Sequence, residues 1–307
     1  MTRLTREDLL PLCPGLEEFE EQLRVKTGVS LRRLACQACG LEEALFSALT
    51  APVRIAVVPV DWGLGIIEGF SEAVAAICRY LGLEAFVTRQ ANVAGLAEAL
   101  ERRADVLMTA DDDRFVALEL RGRRAVDNAE ATGIGFAEAL ALMAGGLEGQ
   151  RVLVIGCGPV GRAAALRLLA LGASVCLCDR DSGRLSAAAR EARRAASGAA
   201  PCGDYGDTAP CGDYGDTAPC GDTADRVAEA ADLETALAGH HLILDASPAA
   251  DIIAARHVGP GTIVSAPGVP HGLSAGALAA IGNRFLHDPL RIGVAVMAFG
   301  ALKGLIP

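Results

Sequence analysis

Apolar and polar positions along the chain predict strands and helices in turn. The apolar runs at 54–60, 85–89 and 105–110 are short and rich in β-branched residues, which favours strands. The segments 71–82 and 93–103 between them carry apolar residues at the 3.6-residue spacing of a helix. Because strands that alternate with helices normally pair in parallel, we expect a parallel sheet.

A second series of such units follows the sequence GLEGQ at 146–150. Strands are expected at 151–156, 174–179, 242–246, 262–266 and 284–288, and helices at 159–171 and 182–197. Further helices are expected over residues 5–47, with Thr5 as the N-cap, over about 134–146 and over 293–305.

These patterns predict an α/β protein of two domains. Residues 1–147 would form an N-terminal domain of helices and an α/β unit. Residues 148–288 would form a doubly wound parallel sheet of the Rossmann type. Residues 289–307 would form a C-terminal helix that packs back on the first domain.

A nine-residue repeat interrupts the second domain. The sequence APCGDYGDT occupies 200–208 and again 209–217, and a truncated APCGDT occupies 218–223. Proline, glycine and aspartate dominate, so the segment has little apolar surface to bury. We interpret 198–224 as a flexible surface insertion that arose by duplication, and its evenly spaced cysteines as incidental rather than as metal ligands.

Charge and composition exclude several classes of function. The chain has 28 basic and 38 acidic residues and a net charge of −10, so the basic face of a general nucleic-acid binder is missing. An acidic protein attracts cationic small molecules instead. No apolar run reaches the ~18 residues of a membrane span, and the first residues contain no signal-length run. We therefore expect a cytoplasmic protein that binds a small molecule.

Ten cysteines fit a reducing compartment. Cys36 and Cys39 form one CxxC pair. A structural zinc site needs a second pair of ligands at suitable spacing, and the sequence offers none. We expect structural thiols and no bound metal.

The strongest motif is a GxGxxG sequence between a predicted strand and a predicted helix. Gly156 would permit the tight turn, Gly158 would let the backbone approach a pyrophosphate, and Gly161 would let helix and strand pack closely. Pro159 and Val160 begin the helix whose free N–H groups would face the phosphates. The arrangement predicts dinucleotide binding.

Asp179 ends the next predicted strand, 23 residues after Gly156. A carboxylate at this position accepts hydrogen bonds from the ribose hydroxyls and repels a 2′-phosphate, which favours NAD over NADP.

Two later loops should complete the cofactor site. The sequences DASPAAD (245–251) and SAPGVP (265–270) each follow a predicted strand, and the nicotinamide half of the cofactor runs along that edge of the sheet. Ser247, Pro248, Pro267 and Gly268 are the candidates. Ordinary turn chemistry is the alternative explanation of these residues.

A second glycine-rich turn precedes a helix in the first domain. Asp61, Trp62, Gly63 and Gly65 form it, and it lacks the GxGxxG spacing of a dinucleotide site. Free N–H groups at the following helix could hold a substrate carboxylate.

Acidic residues collect near this turn. Asp111, Asp112 and Asp113 follow a predicted strand, and Asp127 and Asn128 occupy another loop. Three adjacent carboxylates indicate a cation nearby or an exposed turn. A substrate with both ammonium and carboxylate groups would suit this set.

Motifs from both domains together resemble the PylD family of pyrrolysine biosynthesis. They run nearly end to end: LTREDL (4–9), IAVVPVDWGLGIIEGFSEAV (55–74), LMTADDDRF (107–115), DNAEATGI (127–134), VLVIGCGPVG (152–161), LDASPAAD (244–251), VSAPGVP (264–270) and HDPLRIG (287–293). The turn at 61–65, the acidic strand end and the PLxIG sequence are not general features of Rossmann proteins.

The resemblance implies a substrate domain, an NAD domain and an oxidation. Family members oxidise the terminal amine of lysine-Nε-3-methylornithine with NAD; ammonia is lost and the ring closes to pyrrolysine. Leu4 would belong to a helix that covers this dipeptide-like substrate, and Asp111, Asn128 and the 61–65 turn would contact it. Asp288 would replace a family glutamate. Asp111 would orient the amine, accept a proton and stabilise the iminium, which makes it the catalytic candidate.

Three departures from the family pattern leave alternatives open. Asp61 and Trp62 replace small hydroxyl residues, Leu64 replaces a polar residue, and Asp288 is one methylene shorter than the expected glutamate. Trp62 could be a stacking wall of the pocket or part of the core. The chain could therefore be an NAD-dependent dehydrogenase of another amino acid or imine, or a non-catalytic NAD sensor. A homodimer is plausible, although no stretch identifies its interface.

Overall fold

A computed structural model describes residues 4–9, 12, 15–44, 53–198 and 226–305. The repeat at 200–223 lies outside these residues, so its interpretation as a surface insertion stays a prediction. No helix in the described part of the chain is long and apolar enough to cross a membrane.

The N-terminal segment is helical, as predicted, but it is divided, and three complete helices lie within its described residues. They are α1 (Arg6–Leu9), α2 (Leu16–Thr27) and α3 (Leu31–Ala38). Thr5 caps the first, since its hydroxyl accepts a hydrogen bond from the Asp8 N–H. Gly28, with a φ of 77°, ends α2, and the Ser30 side chain caps α3 by accepting from the Arg33 N–H. Each break uses a residue that favours a helix end over a helix interior.

The first sheet is mixed: the three predicted strands pair in parallel, as expected, and two further strands add antiparallel pairs. The described residues give five strands: β1 (Arg54–Val58), β2 (Glu84–Val87), β3 (Val106–Ala110), β4 (Phe115–Glu119) and β5 (Arg124–Asp127). Helices α4 (Phe70–Tyr80) and α5 (Asn92–Glu101) connect the first three, which are parallel in the order β2-β1-β3. Strands β4 and β5 were not predicted, and each is antiparallel to its neighbour.

Helix α6 (Asn128–Ala144) follows β5 directly and starts six residues before the predicted 134. The expectation that Asp127 and Asn128 lie in a loop was therefore wrong. Asp127 ends β5 and caps the helix, because its Oδ1 accepts a hydrogen bond from the Ala129 N–H at 2.8 Å.

The second sheet confirms the predicted doubly wound architecture. Its strands are β6 (Arg151–Ile155), β7 (Ser174–Cys178), β8 (Val227–Ala230), β9 (Leu242–Asp245), β10 (Ile263–Ala266) and β11 (Phe285–His287). All are parallel, in the order β11-β10-β9-β6-β7-β8. The strand order reverses between β6 and β9, where open α/β sheets bind their ligands.

In the described part of this domain, four α-helices connect the strands of the second sheet. They are α7 (Pro159–Ala170), α8 (Ser182–Ala196), α9 (Leu233–Gly239) and α10 (Ala275–Ile281). The last two and strand β8 were not predicted from the sequence.

The C-terminal helix α11 (Arg291–Leu302) is buried along nearly its whole length. It packs on α3, α4, α6, β4 and β5, which all belong to the first part of the chain. A helix that is apolar on all sides must be enclosed in this way. It places the segment after β11 between the two sheets.

Candidate active site

One cleft of about 440 Å³ lies where the carboxyl ends of the two sheets face each other. From the first sheet, its walls are the residues that follow β1 and β3. From the second, they are the residues that follow β6, β9 and β10, together with Pro289 and Leu290 after β11. Loops at the carboxyl ends of parallel strands are the usual ligand site in α/β proteins.

The glycine loop has the form that a dinucleotide requires. A Cβ on Gly161 would lie 1.8 Å from the Gly156 carbonyl oxygen, and Gly156 itself has a φ of +90°. A Cβ on Gly158 would meet nothing within 4 Å, and no side chain caps the helix that starts there. The loop is therefore closed where helix and strand meet and open where a pyrophosphate would lie.

Predicted cofactor residues divide between the surface of the cleft and the layer behind it. Gly158, Pro159, Val160, Pro248, Pro267 and Gly268 line the cleft. Gly156, Gly161 and Ser247 are not among its lining residues and instead shape the loops from behind.

Asp179 has a contact that the sequence did not reveal. Its Oδ2 accepts a hydrogen bond from the Cys157 N–H at 2.7 Å, inside the glycine loop, and its Oδ1 accepts from the Asp181 N–H at 2.8 Å. It therefore fixes the loop in addition to any bond with a ribose. Asp179 itself is not a lining residue of the cleft, whereas Arg184, also unforeseen, lines it and forms an ion pair with Asp181 at 3.6 Å.

The 61–65 turn is joined to the acidic segment after β3. Asp112 Oδ2 accepts a hydrogen bond from the Leu64 N–H at 2.8 Å, and a Cβ on Gly63 would lie 2.0 Å from the same oxygen. Gly63 and Gly65 both have positive φ, at 64° and 80°. Only glycine allows this backbone and this close approach without strain.

Individual residues of the turn have different surroundings. Trp62 and Gly65 line the cleft. Trp62 is 60% exposed, so the alternative that it belongs to the core was wrong. Asp61 does not line the cleft, and its carboxylate instead accepts a hydrogen bond from the Asn92 side chain.

Asp111 lies at the mouth of the cleft and is held as an anion. Its Oδ1 accepts hydrogen bonds from the Arg114 N–H at 2.7 Å and the Asp113 N–H at 2.9 Å. These bonds, that from Arg114 first, lower the pKa of the carboxyl below its ordinary value. A carboxylate of lowered pKa is a weak base, so it is better suited to hold a cation than to take a proton.

Asn128 presents a polar group that lacks a partner. The side chain lines the cleft at the start of α6 and is only 8% exposed. Its Oδ1 has no hydrogen-bond partner among the described residues. Since the amide can be turned to present its N–H₂ instead, either a donor or an acceptor on a ligand would satisfy it.

Leu4 lines the cleft, whereas Asp288 does not. Asp288 is buried beneath α11, where its Oδ2 accepts from the Leu290 and Ile292 N–H groups and its Oδ1 accepts from Arg291. The structure thus gives Asp288 a role at the start of α11, and its contact with a substrate stays a prediction.

Thr132 and Arg114 also line the cleft and were not predicted. Thr132 lies one helical turn after Asn128, so the spacing i, i+4 could have indicated it once the helix start was known. Arg114 is exposed and forms an ion pair with Asp127 at 3.0 Å.

The CxxC pair has no feature of a reactive site. Cys36 and Cys39 are free thiols, and burial raises their pKa values to about 11 and about 12. In the described parts of the chain, no group of three His, Cys, Asp or Glu side chains is placed to hold a metal ion.

Known proteins resemble the chain in sequence and in fold. Residues 14–126 match the family described as "Pyrrolysine biosynthesis protein PylD, N-terminal domain". The pyrrolysine synthase of Methanosarcina acetivorans is 27% identical over 302 residues, which cover 98% of this chain and 100% of that protein. The pyrrolysine synthase of Methanosarcina barkeri is 32% identical over 161 residues, or 52% of this chain and 58% of that protein.

A solved structure shares the overall fold. Quinate dehydrogenase from Corynebacterium glutamicum, in complex with NAD, aligns with a TM-score of 0.53 and 16% identity, over 83% of this chain and 95% of that one. At this identity the match concerns the α/β fold with its Rossmann sheet.

Proposed function

We propose that this chain, a member of the PylD family, forms pyrrolysine by nicotinamide-dependent oxidation of the terminal amine of lysine-Nε-3-methylornithine. The names of the two Methanosarcina relatives support the pathway, and the first of them aligns along its whole length. The glycine loop and the α/β fold support a nicotinamide cofactor.

The observation that carries the proposal is the composition of the cleft. The cleft is lined by Asp111, Asn128 and Trp62 from the part of the chain that contains the first sheet. It is also lined by Gly158 and Pro248 from the part that contains the second sheet. A reaction between a cofactor and a separate substrate needs both groups in one enclosure, and orientation within it supplies a large part of the acceleration.

The cofactor would lie along the second sheet. The N–H groups at the start of α7 would bind the pyrophosphate beside Gly158, and Asp179 would bind the ribose. Pro248, Pro267 and Gly268 would enclose the nicotinamide. When bound, the nicotinamide ring supplies a hydride acceptor. We propose NAD rather than NADP, because the carboxylate of Asp179 repels a 2′-phosphate.

Asp111 would act by charge. Hydride leaves an amine only when its nitrogen is neutral, since the lone pair must form the C=N bond. The carbon–nitrogen group becomes a cationic iminium in this step, and an anion that is already ionised stabilises it more than it stabilises the neutral amine. The lowered pKa of Asp111 favours this role over that of proton acceptor.

The later steps need little from the protein. Water adds to the iminium, ammonia leaves and an aldehyde remains. The α-amine of the methylornithine part attacks this carbonyl, and loss of water closes the five-membered ring. Because the attacking amine is tethered, ring closure is fast without a dedicated residue.

A turnover assay tests the proposal. Purified protein is mixed with NAD and lysine-Nε-3-methylornithine, and NADH absorbance and product mass are followed. NADH formed together with a product of pyrrolysine mass is expected. Cofactor binding with no NADH would contradict it and would direct attention to Trp62 and Leu64, which differ from the family pattern.

Replacing Asp179 by alanine should weaken NADH binding and reduce the preference over NADPH. The loss of charge-assisted hydrogen bonds is worth about 10–100-fold in affinity, and removal of the Asp179 charge would reduce the repulsion of a 2′-phosphate. Dissociation constants for NADH and NADPH measure both effects. Asp232→Ala, which removes the exposed cap of α9, is the control. Unchanged affinities for both cofactors in Asp179→Ala would reject the ribose assignment.

A further inference from the structure

Asp245 is a carboxylate sealed beneath the predicted nicotinamide end of the cleft. It ends β9, next to β6 in the centre of the second sheet, and its exposed fraction is 0%. It therefore cannot touch a cofactor or a substrate. Its carboxylate nevertheless joins two loops that do line the cleft.

Three donors meet this carboxylate. Oδ1 accepts hydrogen bonds from the Ser247 hydroxyl at 2.7 Å and from the Ser247 N–H at 3.2 Å. Oδ2 accepts from the Gly272 N–H at 2.7 Å. Ser247 belongs to the loop after β9 and Gly272 to the loop after β10, so one side chain links both.

The loops around Asp245 are packed so closely that two of their glycines have no room for a side chain. A Cβ on Gly268 would lie 2.0 Å from the Ser247 carbonyl oxygen, and a Cβ on Gly272 would lie 2.5 Å from Asp245 Oδ2. A Cβ on Gly156, in the glycine loop, would lie 3.0 Å from the Ser247 nitrogen. A shift at Asp245 would therefore move Pro248, Pro267 and Gly268 in the wall of the cleft.

A buried carboxylate is a costly way to fill space. Burial raises the pKa of Asp245 to about 6, and the hydrogen bonds from Ser247 and Gly272 only partly oppose this rise. An apolar side chain would avoid the cost of desolvation but could not accept hydrogen bonds from both loops.

We propose that Asp245 is a positioning residue, which holds the loops after β9 and β10 in the arrangement that receives the nicotinamide half of the cofactor. The inference rests on the proposed function, because it takes the bound ligand to be a nicotinamide dinucleotide. The adenosine and pyrophosphate half depends instead on Gly158 and Asp179.

Asp245→Asn separates the two halves of the site. The amide keeps an oxygen for Ser247 but turns an N–H₂ group toward the Gly272 N–H, so two donors face each other. NADH affinity should fall about tenfold, the usual effect of one unsatisfied buried group. ADP-ribose lacks nicotinamide, and its affinity should change by less than about twofold. Trp62 is the only tryptophan and lines the cleft, so its fluorescence can report both titrations.

Equal losses for NADH and ADP-ribose, or no loss for either, would overturn the inference while leaving the proposed function intact. Wild-type protein that bound neither ligand would overturn the proposed function, and the inference with it. Asp232→Asn, in the cap of α9, is the matched control and should change neither affinity.

Should Asp245→Asn fail to fold, Ser247→Ala gives the second test. It removes one of the three hydrogen bonds and should lower the affinity for NADH about threefold, at the lower end of such effects. The affinity for ADP-ribose should not change. An unchanged NADH affinity in Ser247→Ala would then reject the linkage.

Discussion

Replacing Asp111 by asparagine should lower kcat by roughly 10²–10³-fold, the usual effect of losing one group that stabilises charge in a transition state. The amide keeps the size of the side chain but removes the negative charge at the mouth of the cleft. The KM for the substrate should rise less, because the neutral amine gains less from this charge than the iminium does. Steady-state kinetics with the dipeptide substrate measure both constants.

The dependence of activity on pH also tests the role of Asp111. Hydrogen bonds from the Arg114 and Asp113 N–H groups lower its pKa, so the carboxylate forms above that lowered value and is lost only as pH falls through it. Between about pH 5 and 9 the charge is then constant, and the rise in activity with pH follows deprotonation of the substrate amine. Asp111→Asn should therefore keep the shape of this profile at a lower level.

Glu84→Gln is a matched control for Asp111→Asn. Glu84 is exposed at the opposite end of the first sheet, where it pairs with Arg54. Its replacement should leave kcat unchanged. If Asp111→Asn retained wild-type kcat, the charge assigned to this residue would play no part in catalysis.

Replacing Gly158 by valine should abolish cofactor binding while the protein remains folded. A Cβ at this position meets nothing within 4 Å, and the φ of −72° suits any residue, so the new side chain enters only the space of the pyrophosphate. NADH affinity should fall by at least ~100-fold. Fluorescence titration measures this loss, and a thermal melt confirms that the fold is retained.

Gly239→Val makes the same chemical change at another open position, the last residue of helix α9, which connects strands β8 and β9. It should leave NADH affinity unchanged. Wild-type NADH affinity in Gly158→Val would place the cofactor away from the glycine loop.

The β6–α7–β7 unit of the second sheet could be predicted from the sequence because its signals are local. Two apolar strands, the GxGxxG turn and the acidic strand end all lie within residues 151–179. The β4–β5 hairpin was missed for a physical reason. Alternate residues of β4 are buried, but one of them is the carboxylate of Glu119, which hides the apolar pattern of a strand.

The early start of α6 was missed because of its glycines. Gly133 and Gly135 have low helix propensity, yet each is required by a neighbouring helix. A Cβ on Gly133 would lie 2.4 Å from the Val160 carbonyl oxygen, and one on Gly135 would lie 2.7 Å from the Ile292 side chain. Packing between distant segments decides such positions, and a local pattern does not contain it.

Within the site, the sequence indicated which residues to examine but not which of them meet. Asp288 was predicted to contact the substrate, which stays a prediction, and the sequence did not indicate its bonds with Arg291 and the start of α11. Asp112 had no assigned role, but it holds the turn at Leu64. Asp112 and Leu64 are 48 positions apart, so spacing along the sequence could not reveal their contact. Asp288 and Arg291 are only three positions apart, and their contact could have been inferred once the start of α11 was known.

Isotope tracing shows whether one cleft holds the amine carbon of the substrate against a nicotinamide. Lysine-Nε-3-methylornithine carrying deuterium in both hydrogen positions of the carbon that bears the terminal amine is mixed with the protein and unlabelled NAD. One deuterium is expected in the reduced cofactor for each pyrrolysine formed. Pyrrolysine formed without deuterium in the cofactor would contradict this arrangement.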